Sequence, residues 1–247
     1  MVLRTRTTLI GIALASLLAP LGAHAGELIS NGGFETGDFT AWSVYEAGTL
    51  GAVSVASGLV TPNSGMPTAG AASGTYYALM DDPFASANAL IQTFSTGPVQ
   101  SAVLSFNMFV NDHNPGGQLF VDPTGLDATT GGSFSPNQHA RVDLLSASAS
   151  PFDTGTGVLK TFYLGGGSGG LFNNPYTGYT GFNVTDVLAN GGTFQLRFAE
   201  VNNQGFFNVG VDNISLQVTP VPESSTWTMI LAGLALTKLL THRRRHA

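Results

Sequence analysis

Carboxylates are the chemically useful groups this chain has in supply. Glu35, Glu200 and Asp212 stand in polar, turn-rich stretches. Paired carboxyls serve two chemistries. Facing each other across roughly 5–9.5 Å they cleave glycosidic bonds; gathered with other oxygens they hold a hard cation such as calcium. Asp81-Asp82-Pro83 reads as a turn, without EF-hand spacing around it. Between residues 26 and 221 the only histidines are His113 and His139, and no third group is placed for a triad or a zinc site. The chain has no cysteine, which removes thiol nucleophiles and thiolate metal sites. Tyr76, Tyr77 and Tyr176 offer faces for stacking on sugars, although aromatics in β-sandwiches more often pack. Glu200 opens a polar loop, Val201-Asn202-Asn203-Gln204, that touches either ligand or solvent.

Asp212 makes the strongest single demand. In its strand Ile214, Leu216 and Val218 share its parity, so its carboxylate is expected to point with them into a core. A buried carboxylate without a partner costs several kcal/mol. Two arrangements meet that demand: a cation, or amide donors from Asn31–Gly33 capping the strand mouth.

Positioning such groups falls to strands. Short apolar or alternating runs occur at 27–30, 52–56, 75–80, 89–94, 102–110, 138–146, 158–164, 193–201 and 209–218. In the eighth of these Phe194, Leu196 and Phe198 face inward, Gln195 and Arg197 outward. Residues 182–190 read as a strand end passing into one helical turn. Asn31-Gly32-Gly33 is a tight turn, and Phe34, Phe39 and Trp42 pin the loop after it to the core. The 32 glycines and 12 prolines favour turns over helices. About nine strands with almost no helical periodicity predict an all-β fold, a β-sandwich. The polar stretch 111–136, with Phe120-Val121 its one strand signal, predicts a long loop.

Charge narrows the partners. Residues 26–221 carry fourteen acidic residues against Arg141, Lys160 and Arg197, hence a net of −11, while the whole chain stands at −6. A domain that acidic excludes nucleic acid, whose phosphates need Lys and Arg. Divalent cations and neutral sugars remain compatible with it.

Both ends of the chain carry an address. Arg4 and Arg6, the apolar run Leu9–Ala19 and the small-residue site Ala23-His24-Ala25 predict a signal peptide over 1–25. The tail, 220–247, contains Val221-Pro222-Glu223, an apolar segment, and the cluster Arg243-Arg244-Arg245. A membrane helix is expected at about 226–241, interrupted by Lys238, with its basic end in the cytoplasm. This three-part tail resembles the PEP-CTERM sorting signal of Gram-negative bacteria. The resemblance implies processing by an exosortase-type enzyme, passage through an inner-membrane intermediate, and a final place at the cell surface or outside it. Ser224 stands where the signal usually has its second proline.

Between these ends, 26–219 is expected to be one domain. Its opening, Asn31-Gly32-Gly33-Phe34-Glu35, and its closing Asp212-Asn213-Ile214-Ser215-Leu216 resemble the end signatures of carbohydrate-binding jelly-roll modules with a galactose-binding-like fold. That resemblance implies a jelly-roll β-sandwich whose first and last strands share a structural calcium ion, with Glu35 and Asp212 as its carboxylate ligands. It further implies non-catalytic binding of polysaccharide. The alternatives left open are a structural matrix or envelope protein without a ligand, and a polysaccharide-modifying enzyme.

Overall fold

The computed structural model describes residues 25–48, 51–113, 125–128, 136–165, 176–222 and 224–243. The signal peptide, the Phe120-Val121 strand signal, Glu223, Arg244 and Arg245 lie outside these residues.

Residues Ala25–Val221 form one compact unit. Its strands are β1 (Gly26–Glu27), β2 (Ser43–Gly48), β3 (Ala52–Ala56), β4 (Tyr77–Asp82), β5 (Ser86–Thr96), β6 (Val99–Asp112), β7 (Gln138–Ser146), β8 (Val158–Gly165), β9 (Thr177–Asn183), β10 (Gly192–Asn202) and β11 (Phe207–Pro220). One helical turn, α1 (Thr185–Leu188), precedes β10, as the sequence predicts. Two antiparallel sheets result. Sheet A has the order β3-β4-β11-β6-β9, with β1 also paired to β11; sheet B has the order β2-β5-β10-β7-β8. Successive strands mostly change sheet, the hairpins β3–β4 and β7–β8 being the exceptions. The expected β-sandwich is therefore observed.

Inward-facing side chains fill the space between the sheets. A chain of rings runs from the opening loop through sheet B to sheet A: Phe34 to Trp42 (5.6 Å between centroids), Trp42 to Phe198 (6.2 Å), and Phe198 edge-on to Phe106 (5.2 Å). Each buried ring of this kind contributes about 1.5–3 kcal/mol relative to exposure. Trp42 also donates its Nε1–H to the carbonyl of Asn31, closing the loop it anchors. A Cβ at Gly32 would lie 2.0 Å from the Ile214 carbonyl, so only glycine lets this turn reach β11.

Strand β2 escapes the sequence reading, and of β9 only the end, from Phe182, is read. Both lie at sheet edges and are largely exposed, with the sequences SVYEAG and TGYTGFN. Edge strands bury too little to show an apolar run.

Helix α2 (Ser224–Arg243) belongs to a separate unit. It covers the span expected to be helical, but no helix among the described residues is long and apolar enough to cross a membrane. The transmembrane assignment of 226–241 is corrected accordingly. Thr226, Thr228, Thr237 and Lys238 dilute the apolar run below what a span requires.

Candidate functional site

Asp212 does not point into the core. Asn213 adopts a left-handed backbone (φ 51°), and the β11–β6 register shifts between Asp212 and Ser215. Val209 and Val211 are core residues before this bulge; Ile214, Leu216 and Val218 are core residues after it. The extra residue reverses parity and turns Asp212 to the outer face of sheet A. There it is fully buried beneath residues 72–73. Its Oδ2 accepts from the amides of Ala72 (2.8 Å) and Ser73 (3.1 Å), and its Oδ1 from that of Asn213 (2.7 Å). Burial raises its pKa against these donors, and the charge of Glu35 raises it further.

Glu35 serves the same segment. Its Oε1 accepts from the amides of Thr75 (2.9 Å) and Tyr76 (3.0 Å), which hold its pKa below the usual carboxylate range. The two expected ligands are thus brought together, but on backbone amides. Calcium requires roughly six to eight oxygens. Among the described residues no group of three or more His, Asp or Glu side chains is placed to hold a metal ion. The amide bonds of these two residues make a clamp on residues 72–76. Amide capping was the alternative weighed for Asp212, although the donors come from 72–73 rather than 31–33.

A second constellation lies at one end of the sandwich. Following the inward parity of four strands beyond their apolar residues gives Met80 then Asp82, Leu90 back to Asn88, Val110 then Asp112, and Phe198 then Glu200. All four polar residues are at most 1 % exposed. Asp82 on sheet A and Glu200 on sheet B face the same gap, where Asp82 Oδ2 and Glu200 Oε2 are buried without a hydrogen-bond partner among the described residues. Asn88 bridges them, its Nδ2 donating to Asp82 Oδ1 (2.5 Å) and Glu200 Oε1 (3.3 Å). Burial first, then the neighbouring acids, push Asp82 up to about 7 and Glu200 well above the usual carboxylate range. Asn202, on the strand of Glu200, donates to the carbonyls of Asp82 (3.1 Å), Phe84 (3.4 Å) and Gly205.

Asp81 alternates to the outer face of sheet A. It accepts from the amides of Asn63 and Ser64 (both 2.9 Å) and from Asn208 Nδ2 (2.6 Å). Asn208 Oδ1 in turn meets His113 Nε2 at 2.7 Å, and burial lowers the pKa of His113. On sheet B His139 Nδ1 lies 2.9 Å from Asn137 Oδ1. The turn expected at Asp81-Asp82 is corrected: these residues end β4, and the turn is Pro83–Ala85. The sequence reading missed Asp82, Asn88 and Asp112 because it stopped each strand at its last apolar residue.

Both sheets are covered in part on their outer faces. On sheet A, Tyr77 and Phe109 (6.0 Å apart) are buried with Leu79 under residues 56–71, and Tyr77 Oη pairs with Thr68 Oγ1 at 2.8 Å. Tyr176 packs edge-on against Phe109 (5.0 Å). Tyr77 and Tyr176 are thus packing residues. On sheet B, Ala87, Ala89, Ile91, Ala199 and Val201 lie beneath Leu126 and Phe152. Beside them Asp143 binds Arg141 (Nε–Oδ2 2.7 Å) and Arg197 (Nη2–Oδ2 2.5 Å). Burial would raise Asp143, but both guanidiniums outweigh it and hold the carboxyl below its usual range. Arg197 Nη1 also donates to the carbonyls of Pro151 (2.8 Å) and Asp153 (2.7 Å), tying the β7–β8 connection down. The domain's remaining base, Lys160, pairs with Asp186 at 3.1 Å. Among the described residues, two aromatic rings of the domain stay open to solvent: Tyr45 on β2, 41 % exposed, and Phe84 on the turn after Asp82, 57 % exposed.

The fold defines the chain's class as a two-sheet antiparallel β-sandwich protein. No protein-family model matches the chain, and no curated protein matches it significantly. Among solved structures it is similar to a carbohydrate-binding module, TmCBM61, in complex with β-1,4-galactotriose (12% identity, TM-score 0.45, 77% of this chain and 97% of that one). It is similar as well to the CBM22-1 xylan-binding domain from Paenibacillus barcinonensis (11% identity, TM-score 0.41, 80% and 97%). A Stig cyclase from Fischerella sp. TAU stands at the same level (18% identity, TM-score 0.43, 80% and 100%). Binding modules and a cyclase share this degree of likeness, so neither activity follows from it.

Proposed function

We propose that the sandwich domain binds polysaccharide outside the cell without transforming it, using Tyr45 and Phe84 as platforms for sugar rings. The observation that carries this reading is their exposure in a domain that buries or half-buries its other aromatics among the described residues. An aromatic face in water is a surface on which the apolar side of a sugar ring packs. Tyr45 pairs with Ala89 and Gly48 with Ser86, so the two platforms lie along one β2–β5 edge. Three residues of extended strand separate those pairs, about 10 Å. The acidic balance of the domain suits a neutral, hydroxyl-rich ligand. Glu200, the carboxyl considered for hydrolysis, is sealed between the sheets and bonded to Asn88, which favours binding over catalysis. In this reading the N-terminal segment directs export. Val221-Pro222-Glu223 with Arg243-Arg244-Arg245 directs sorting by an exosortase-type enzyme to the surface or matrix.

The test is retention on arrayed β-linked glycans, galactan and xylan among them, by residues 25–221. Binding is expected, and Phe84→Ala or Tyr45→Ala is expected to weaken it at least about tenfold, the loss of roughly 1.4 kcal/mol of contact. No binding to any glycan would leave the structural reading, which the covered outer faces of both sheets favour.

A further inference from the structure

The buried end of the sandwich contains two carboxyls that no base neutralises. Asp82 and Glu200 are bridged across the sheets by Asn88, whose Nδ2 donates to both, while the second oxygen of each has no hydrogen-bond partner among the described residues. The titratable groups facing them carry no positive side chain: Glu46 opposite Asn88 on β2, Asp112 on β6, and, on the outer faces, Asp81, His113 and His139. Burial holds His113 towards its neutral form. The domain's three bases are engaged elsewhere, on Asp143 and Asp186. Two buried carboxylates held on one amide nitrogen cannot both stay ionised without a cation, so protons must supply the neutralisation.

The same pair anchors the turn that carries Phe84. Asp82 precedes that turn and Ser86 follows it, with Ser86 Oγ donating to the Phe84 carbonyl (3.1 Å). Asn202, two residues after Glu200, holds the carbonyls of both Asp82 and Phe84.

We propose that Asp82 and Glu200 form a proton-sharing latch between the sheets, closed in mild acid and loosened above neutrality, which controls the rigidity of the Phe84 turn. Only the meaning of that rigidity for ligand rests on the proposed function. The sign follows from linkage. Carboxyls whose folded pKa is raised give stability that is fully present below their unfolded values, near 4, and is lost as pH rises through the folded ones, about 7 for Asp82, with Glu200 also raised well above its usual range.

Two ligand-free measurements test the latch on residues 25–221. Infrared spectra at pH 6 are expected to show a protonated-carboxyl stretch that Asp82→Asn/Glu200→Gln removes. Hydrogen-exchange protection at Phe84–Ser86 is expected to fall at least about tenfold between pH 5.5 and 8.5, and to stay flat in the double variant. If that variant does not fold, Glu200→Gln alone serves, and its protection profile should flatten in part. Absence of the infrared band, or protection independent of pH in the parent protein, overturns the proposal. Glycan retention lacking at every pH while the latch behaves as stated would sink the proposed function and leave the latch standing.

Discussion

Asp143 carries the heaviest electrostatic responsibility in the domain, and replacing it tests the reading of sheet B. Asp143→Asn keeps the shape and removes the charge. Arg197 is fully buried, with Nη1 committed to the Pro151 and Asp153 carbonyls and Nε and Nη2 to Asp143, so its guanidinium would lose its paired counter-charge. Breaking a buried pair in this way costs about 3–5 kcal/mol. At ~2–4 °C per kcal/mol for a domain of this size, the melting temperature should fall by roughly 6–20 °C. The fall should be partly recovered by adding Arg197→Met, which removes the orphaned charge. Calorimetry on residues 25–221 at pH 7 reads both. The linkage has the opposite sign to that of the latch. A carboxyl held below its usual range gives stability that is present above the unfolded value near 4 and lost as pH falls through the folded one. The parent protein should therefore lose stability below about pH 4, and the variant should lose less there. A shift under about 3 °C at pH 7 would refute the account of Asp143 as the anchor of the β7–β8 connection.

The clamp on residues 72–76 predicts that Asp212→Asn costs about 1–3 kcal/mol, because the new amide N–H must face donors that the carboxylate accepted. Thermal melts with calcium and with chelator should agree within about 1 °C; a calcium-dependent rise of roughly 5–10 °C, as for a ligand at a hundredfold excess over its Kd, would restore the ion. Deleting residues 243–247 should reduce surface delivery in the source cell, read by fractionation, and normal delivery would remove sorting from the tail's account.

The fold was legible because its interior strands obey simple alternation. Phe194, Leu196 and Phe198 read inward and are buried, and β3 and β7 have the bounds the sequence implies. The ends of the strands were not legible, for a physical reason. Alternation reports which face a residue takes, whereas a scan for apolar runs reports where apolarity stops. In β4, β5 and β6 the two differ, since the strand continues inward into Asp82, Asn88 and Asp112. The opposite failure befell Asp212. Parity was counted correctly, but Asn213 adds one residue, and nothing in Asp-Asn-Ile marks a bulge as opposed to a straight strand. Convergence of Glu35 and Asp212 on one place was legible from the two ends of the domain; the backbone amides of a loop more than thirty residues away from either were not.

The charge count ties these pieces together. A domain with fourteen acids and three bases can leave most of its carboxylates in water, but every carboxylate it buries needs a partner. Asp143 takes two of the bases, and Lys160 is spent at the surface on Asp186. Asp212 is supplied by three amides and Asp81 by two amides and the Asn208 side chain. Asp82 and Glu200 share Asn88, which cannot saturate four oxygens. What remains for them is a proton, since two buried carboxylates held on one amide nitrogen cannot both stay ionised. The scarcity of Lys and Arg visible in the sequence therefore turns, through burial, into a dependence of this end of the sandwich on pH.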